Sequence, residues 1–206
     1  MGTLKGKPRG YYQKILAMDC ETTGLASNCD DPSYNPKTKE TYQSVSWGLI
    51  VADAQTLKPI EKLYIEIQWD GESVWDKRAE KIHGLTKEHL KENGFTQSEA
   101  VEAIGSLVMK HWGPDGRIGT LGHNVATFDL WFFKRLFRKF NIELRFGNRH
   151  VDTSTVGFVN WETYTSDALF DVVGFEERGD HNALQDAEQS LEAARITRLL
   201  FKNCIE

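Results

Sequence analysis

Lys14-Ile15-Leu16-Ala17-Met18-Asp19-Cys20-Glu21-Thr22-Thr23-Gly24-Leu25 is the most informative segment of the chain. Its first half, Lys14–Asp19, is a short apolar run that ends in a carboxylate, the pattern of a buried strand. On a strand, residues i and i+2 point to the same face, so Asp19 and Glu21 converge. Ionised carboxylates at the end of a buried strand are costly unless they are paired or bound to metal. Their hard oxygens suit Mg²⁺ or Mn²⁺. Thr22-Thr23-Gly24-Leu25 then turns the chain away, and ligands of open α/β sheets bind just beyond the carboxyl ends of strands. Two readings compete for the pair: a metal site, or a capping and turn role.

The Asp-x-Glu spacing alone decides nothing. With 13 Asp and 17 Glu in 206 residues, about one such pair arises by chance. Three occur, and their settings separate them. Asp186 and Glu188 fall in a helical pattern, where i and i+2 diverge. Asp70-Gly71-Glu72 sits among polar residues after a strand and reads as a solvated turn.

Around this segment the elements alternate. Ala26–Gln43, rich in Asn, Asp, Pro, Ser and Lys, reads as a loop, and its length marks it as mobile or functional. Ser44–Ala52 and Lys62–Trp69 are β-rich, joined by a hairpin-like link at Asp53–Pro59. Thr96–Trp112 has helical apolar spacing and is ended by Gly113-Pro114-Asp115-Gly116. Arg117–Gly122 is a short strand, Thr127–Phe140 a helix, and Asn182–Lys202 the last helix. Trp131, Phe132 and Phe133 read as core. The alternation predicts a single mixed α/β domain over residues 14–206, preceded by a basic extension at 1–13.

Composition sets the outer bounds. At 206 residues, with 40% hydrophobic and 27% charged residues, the chain is globular and long enough for one domain with a real core. No run approaches the ~18 apolar residues of a membrane span. The polar, basic start lacks the apolar stretch of a signal peptide, and Gly6 stands where myristoylation wants Ser or Thr. Cys20, Cys29 and Cys204 have no disulfide or zinc spacing, so a reducing cytoplasm is expected. The net charge of −5 argues against nucleic acid in bulk, but it is unevenly placed. Residues 1–14 hold four basic residues and no acid; residues 134–149 hold six against Glu143 alone. These stretches are either solvated faces or, for Lys134–Arg149, a means of steering phosphates.

Two further constellations carry candidate chemistry. Gly122-His123-Asn124-Val125-Ala126-Thr127-Phe128-Asp129 links a strand to an amphipathic helix. By itself, Asp129 reads as a first-turn acid favoured by the helix dipole. Asp180-His181-Asn182-Ala183-Leu184-Gln185-Asp186 opens the last helix. His181 and Asp186 are about 140° apart on a helix, so they meet only if His181 lies in the preceding loop. By itself, His181 reads as a cap or surface residue.

Taken together, these segments resemble the DEDD superfamily of 3′–5′ exonucleases. The motifs D-x-E-T-T-G-L (Asp19–Leu25), I-H-G-[IL]-T (Ile82–Thr86), H-N-x-x-x-F-D (His123–Asp129) and H-x-A-x-x-D (His181–Asp186) occur in the family's order across about residues 14–200. The histidine five positions before the last Asp points to the DEDDh branch, which includes proofreading exonucleases. The long polar insert at 26–43 departs from the family pattern. The resemblance implies a ribonuclease H-like mixed sheet of about five strands flanked by helices. It implies two divalent ions, Mg²⁺ or Mn²⁺, held by Asp19, Glu21, Asp129 and Asp186, with His181 as general base. The implied substrate is the 3′ end of single-stranded DNA or RNA, DNA favoured, cut to 5′-mononucleotides. Thr22, Thr23, Leu25, His83, Asn124 and Phe128 would contact that substrate. His83 also reads as a cap in a helix-turn-helix link, and Asn124 as an orienter of the backbone. A polymerase or replication partner fits the proofreading members, and no membrane is implied. The competing reading is a catalytically silent nucleic-acid-binding or polymerase-associated module on the same fold.

Overall fold

The computed structural model describes residues 12–27, 29–175 and 181–203. Most of the basic extension, the acidic stretch Glu176-Glu177 with Arg178, and Cys204 lie outside the described residues. Strands β1 (Lys14–Thr22), β2 (Ser44–Asp53), β3 (Pro59–Glu66), β4 (Gly119–Gly122) and β5 (Val151–Asp152) form one sheet in the order β3-β2-β1-β4-β5. The β1/β2 and β2/β3 pairs are antiparallel, whereas β1/β4 and β4/β5 are parallel. Helices α1 (Lys77–His83), α2 (Lys87–Asn93), α3 (Gln97–Trp112), α4 (Asp129–Arg138), α5 (Thr153–Trp161), α6 (Ser166–Val172) and α7 (Ala183–Asn203) surround it. This is the mixed α/β, ribonuclease H-like domain that the sequence predicts. No helix among the described residues is long and apolar enough to cross a membrane.

The central strand is buried on both faces, and its two faces serve different layers. Leu16, Met18 and Cys20 join Trp47, Leu49 and Val51 of β2 under α3 and α4, where Ile104, Leu130, Phe133 and Phe137 complete the larger core. Ile15 and Ala17 point the other way, with Ile50 and Ala52, onto Ala187, Leu191 and Ala194 of α7. Asp19 and Glu21 continue this second face by the period of two. Their register partners on β2 are Gly48 and Ser46. The α7-facing surface therefore changes from apolar to small and polar at the carboxyl end of β1.

Gly48 matters because it has no side chain. An ideal Cβ there would lie 2.1 Å from the carbonyl oxygen of Ala183 and 2.3 Å from the Cα of Leu184. Only a glycine lets the first turn of α7 rest on the sheet backbone, a recognised use of glycine within strands.

Several element boundaries differ from the sequence expectation. The third strand runs Pro59–Glu66 rather than Lys62–Trp69, and Ile67 makes an isolated bridge to Phe95. The helix expected from Thr127 starts at Asp129, because the backbone N–H groups of Thr127 and Phe128 donate to the Asn124 carbonyl in a tight turn. The 26–43 connection is a built structure. Tyr34 bridges Thr41, Thr23 N–H donates to the Gln43 carbonyl, and Gln43 N–H donates back to Thr23 Oγ1. Gln43 further bonds the Gln68 carbonyl and Asp70 N–H, and Val74 N–H reaches Thr41.

Replacing a strand glycine by alanine ordinarily stabilises by ~0.5–1 kcal/mol. At Gly48 the sign reverses: G48A is expected to destabilise by roughly 1–3 kcal/mol, because the clash is with backbone that cannot yield locally. Urea unfolding of the two proteins side by side checks it, and a variant at least as stable as the parent would refute the packing argument.

Candidate active site

The polar end of this face opens into a cleft of about 370 Å³, lined by Asp19, Glu21, His123, Asn124, Phe128, Ser166, Phe170, His181, Asp186 and their neighbours. Three separate elements deliver Asp19, Glu21, Asp186 and His181. β1 supplies Asp19 and Glu21 on its α7-facing side. The start of α7 supplies Asp186, which is buried. The loop before α7 supplies His181.

That helix start is fixed by its cap. Asn182 Oδ1 accepts from the backbone N–H groups of Leu184 and Gln185, and the Asn182 carbonyl accepts from Asp186 N–H. His181 therefore sits just before the cap, and the 140° helical separation does not apply to it. Its Nδ1 lies 3.3 Å from Asp186 Oδ2. Its backbone N–H donates to the Ile82 carbonyl at the end of α1, which ties the histidine loop to the Ile82–Thr86 segment. Donor atoms of Glu21, His181 and Asp186 all lie within 4.8 Å of one another. Carboxylate oxygens and an imidazole at this spacing form a donor set that fits a divalent cation.

Asp129 lies beneath the cleft rather than at an exposed helix start. It is 1% exposed, and neither carboxylate oxygen has a hydrogen bond of ordinary geometry. Burial, with a smaller push from the Glu21 charge, raises its carboxyl well above the usual carboxylate range despite the facing Cys20 thiol and nearby backbone N–H groups. A helix-dipole role does not require such burial. A buried, unsatisfied carboxylate is costly and calls for a cationic partner. The Cys20 thiol is itself pushed up by burial and then by Asp129 and Asp19, which makes it unreactive.

The turn that places Asp129 explains Asn124. Its φ of +57° is left-handed, a conformation Asn tolerates better than most residues, and its N–H donates to Asp152 Oδ1. Asn124 thus holds the backbone while also lining the cleft. Phe128 lines the cleft as well and packs on Phe132. The remaining substrate candidates sit apart from the cleft wall. Thr22 donates its hydroxyl to the Gly24 carbonyl, and Thr23 is occupied with Gln43. Leu25 is exposed. His83 is buried at the end of α1, where Nδ1 accepts from Leu85 N–H and burial lowers its pKa; it acts there as a cap of the α1–α2 link.

The basic 134–149 segment is engaged largely within the molecule. Lys139 bonds Asp70 and Arg145 pairs with Asp115, while Lys134 and Arg135 lie over the rings of Phe146 and Tyr34. Burial alone would raise Asp70, yet Lys139 and the Ser73 and Glu72 N–H groups bring it down to about 2. Sequence reasoning left out Ser190, Ser166 and Phe170 as cleft residues. Ser190 was accessible to it, being one helical turn beyond Asp186; Ser166 and Phe170 belong to a helix too short to show a period.

Residues 16–194 match the family model for the RNase T exonucleases. The chain belongs to this exonuclease family. Its fold is similar to that of E. coli exonuclease I solved with a dT13 oligonucleotide (17% identity, TM-score 0.71, covering 93% of this chain and 43% of that one). It is similar to the zinc-ion-bound form of the E. coli exonuclease I–ssDNA complex as well (16%, 0.70, covering 91% and 40%). A 3′-exonuclease described as recognising the 3′ end of a histone mRNA stem-loop is a third (14%, 0.63, covering 94% and 84%). The chain spans about two fifths of the exonuclease I chains it matches. No curated protein sequence matches it. Together with the ordered motifs, the family places the chain among DEDD-type exonucleases.

Asp129 gives a pH test. An acid whose folded pKa is raised stabilises the fold below its unfolded pKa of ~3.9 and loses that contribution as pH rises through the folded value. Metal-free thermal melts of the parent should therefore lose stability between about pH 4 and neutral pH or above, relative to D129N. At pH 8 the variant is expected to melt higher while having no nuclease activity. A D129N protein that melts lower than the parent at pH 8 would show that the carboxylate is well solvated or paired.

Proposed function

We propose that this chain is a metal-dependent exonuclease that removes nucleotides from the 3′ end of single-stranded nucleic acid, DNA in preference to RNA, releasing 5′-mononucleotides. The observation that carries the reading is the convergence of Asp19, Glu21, His181 and Asp186 above the buried Asp129, in a chain of the exonuclease family. The single-stranded oligonucleotide and RNA 3′ end in the similar structures support the substrate class.

In this reading Asp19, Glu21 and Asp186 would hold one divalent ion, and Asp19 and Asp129 would support a second. When bound, such a pair lowers the pKa of an attacking water and stabilises the leaving oxygen of an in-line displacement. The chain's own groups do the rest. Asp186, facing Nδ1 of His181, favours the tautomer with its proton on that nitrogen, so that Nε2 is the basic one. His181 takes the proton of the attacking water at Nε2, as a general base near neutral pH. Its loop position just before the α7 cap lets the ring adjust to substrate, while the bond from its N–H to Ile82 limits how far it strays. Phe128 and Phe170 give the cleft apolar walls that restrict water.

A 5′-labelled single-stranded oligonucleotide incubated with Mg²⁺ or Mn²⁺ should give a descending ladder that a chelator stops. D19A and D186A are expected to abolish it, and H181A to slow it by ~10²–10⁴-fold with metal binding retained. Matched DNA and RNA strands in the same assay rank the two substrates. An absence of laddering with both metals would sink the enzyme reading in favour of a silent binding module.

A further inference from the structure

Beside the cleft the chain builds a second feature that the catalytic groups do not use. Helix α5 ends at Glu162, whose φ of +55° is left-handed and reverses the chain. Thr163 N–H then donates to the Gly157 carbonyl, and a Cβ at Gly157 would lie 2.7 Å from Thr163 Oγ1. Gly157 is thus the residue that lets the turn close against the helix. The reversal lays the Tyr164 ring against Phe158, with centroids 4.9 Å apart and planes 31° from parallel. Both rings remain in solvent: Tyr164 is 69% exposed and Phe158 49%, with Val159 beside them at 69%.

The pair is joined to the cleft wall by a short stretch of chain. The residue after Tyr164 is Thr165, whose side chain accepts from Ala168 N–H and caps α6. Ser166 and Phe170, one turn apart on that helix, form a wall of the cleft. The surroundings indicate what would bind. From Val151 to Phe175 there is no Lys or Arg, and Glu162 and Asp167 are exposed. This stretch therefore offers a phosphate no cation of its own, whereas it does offer ring faces to a nucleobase. Every base presents such a face, and aromatic side chains are the usual partners of unpaired bases in single strands.

We propose that Phe158 and Tyr164 form a stacking platform for a base upstream of the 3′-terminal nucleotide, when the end of a single strand lies in the cleft. The inference rests on the exonuclease reading of that cleft. The platform works by stacking rather than by charge, so its contribution to affinity is independent of salt.

The test is the affinity for a fluorescent dT12 strand carrying a non-hydrolysable 3′-terminal linkage, measured by anisotropy at several salt concentrations. F158A/Y164A is expected to weaken binding roughly 5- to 150-fold, the range for losing one or so stacked base. The slope of log affinity against log salt should stay that of the parent, because no phosphate contact is lost. Y164F keeps the ring and is expected to bind like the parent. Affinity of the double variant within about twofold of the parent overturns the platform, and is the result expected if the patch docks a protein instead. A loss accompanied by a shallower salt slope overturns it too, since the missing contacts would then be ionic. Hydrolysis of the p-nitrophenyl ester of thymidine 5′-monophosphate by the unsubstituted chain with Mg²⁺ or Mn²⁺ tests the cleft by itself. Inertness to the ester counts against the exonuclease reading, while the binding comparison still judges the platform.

Discussion

The site depends on how closely the first turn of α7 approaches the sheet at Gly48. Asp19 and Glu21 share a face of β1, but a face is not a site until something closes over it. The closing element is a helix whose lower turns are apolar, with Ala187, Leu191 and Ala194 packed on Ile15, Ala17, Ile50 and Ala52. This packing sets the height of the helix above the sheet. A strand residue with any side chain at position 48 would hold the helix start away, and Asp186 with it. The apolar contact thus supplies the energy, and the missing side chain supplies the approach that brings three carboxylates and a histidine together.

The second consequence concerns charge. Carboxylates this close repel one another, and burial makes each costlier to ionise. The fold tolerates the arrangement because the opposite face of β1 is well packed, its Leu16, Met18 and Cys20 sharing a core with the mutually packed Trp47, Phe133 and Phe137. Stability is provided by the packed parts of both faces and given up only at the carboxyl end of β1, the usual distribution at a functional site. On the proposed two-ion reading, the formal charge of −5 would come to −1.

Much of this could be read from sequence, for identifiable reasons. Strand β1 and the long helices α3, α4 and α7 span enough residues for their periods to show. The four motifs carry both the fold and the family. The helices α1, α2, α5 and α6 are seven to nine residues long, shorter than the window in which a 3.6-residue period can be recognised. Their caps Asp76, Thr86, Asp152 and Thr165 were the available signals, yet single cap residues are common in loops too. The 26–43 connection is a loop, as its composition suggests, but composition does not reveal that the Gln43 side chain and the Thr41 carbonyl join it to the 68–76 segment. In the basic 134–149 stretch, composition does not reveal that Lys139 meets Asp70, Arg145 meets Asp115 and Arg135 meets Tyr34.

The burial of Asp129 was the least legible feature, and the most instructive. On a helical wheel it is the first residue of an amphipathic helix, where an acid needs no special explanation. What removes it from solvent is the turn at Asn124, whose left-handed backbone is anchored on Asp152, a residue that in turn caps α5. A single carboxylate thus joins the parallel strands β4 and β5 and the helices that follow them. The aromatic pair at the end of α5 stands on the same foundation: Asp152 starts that helix, Gly157 lets its end fold back, and Thr165 passes the chain on to the cleft wall. The geometry at Asp152 therefore underlies both the depth of Asp129 and the placement of the exposed rings, and a change there would be felt at both.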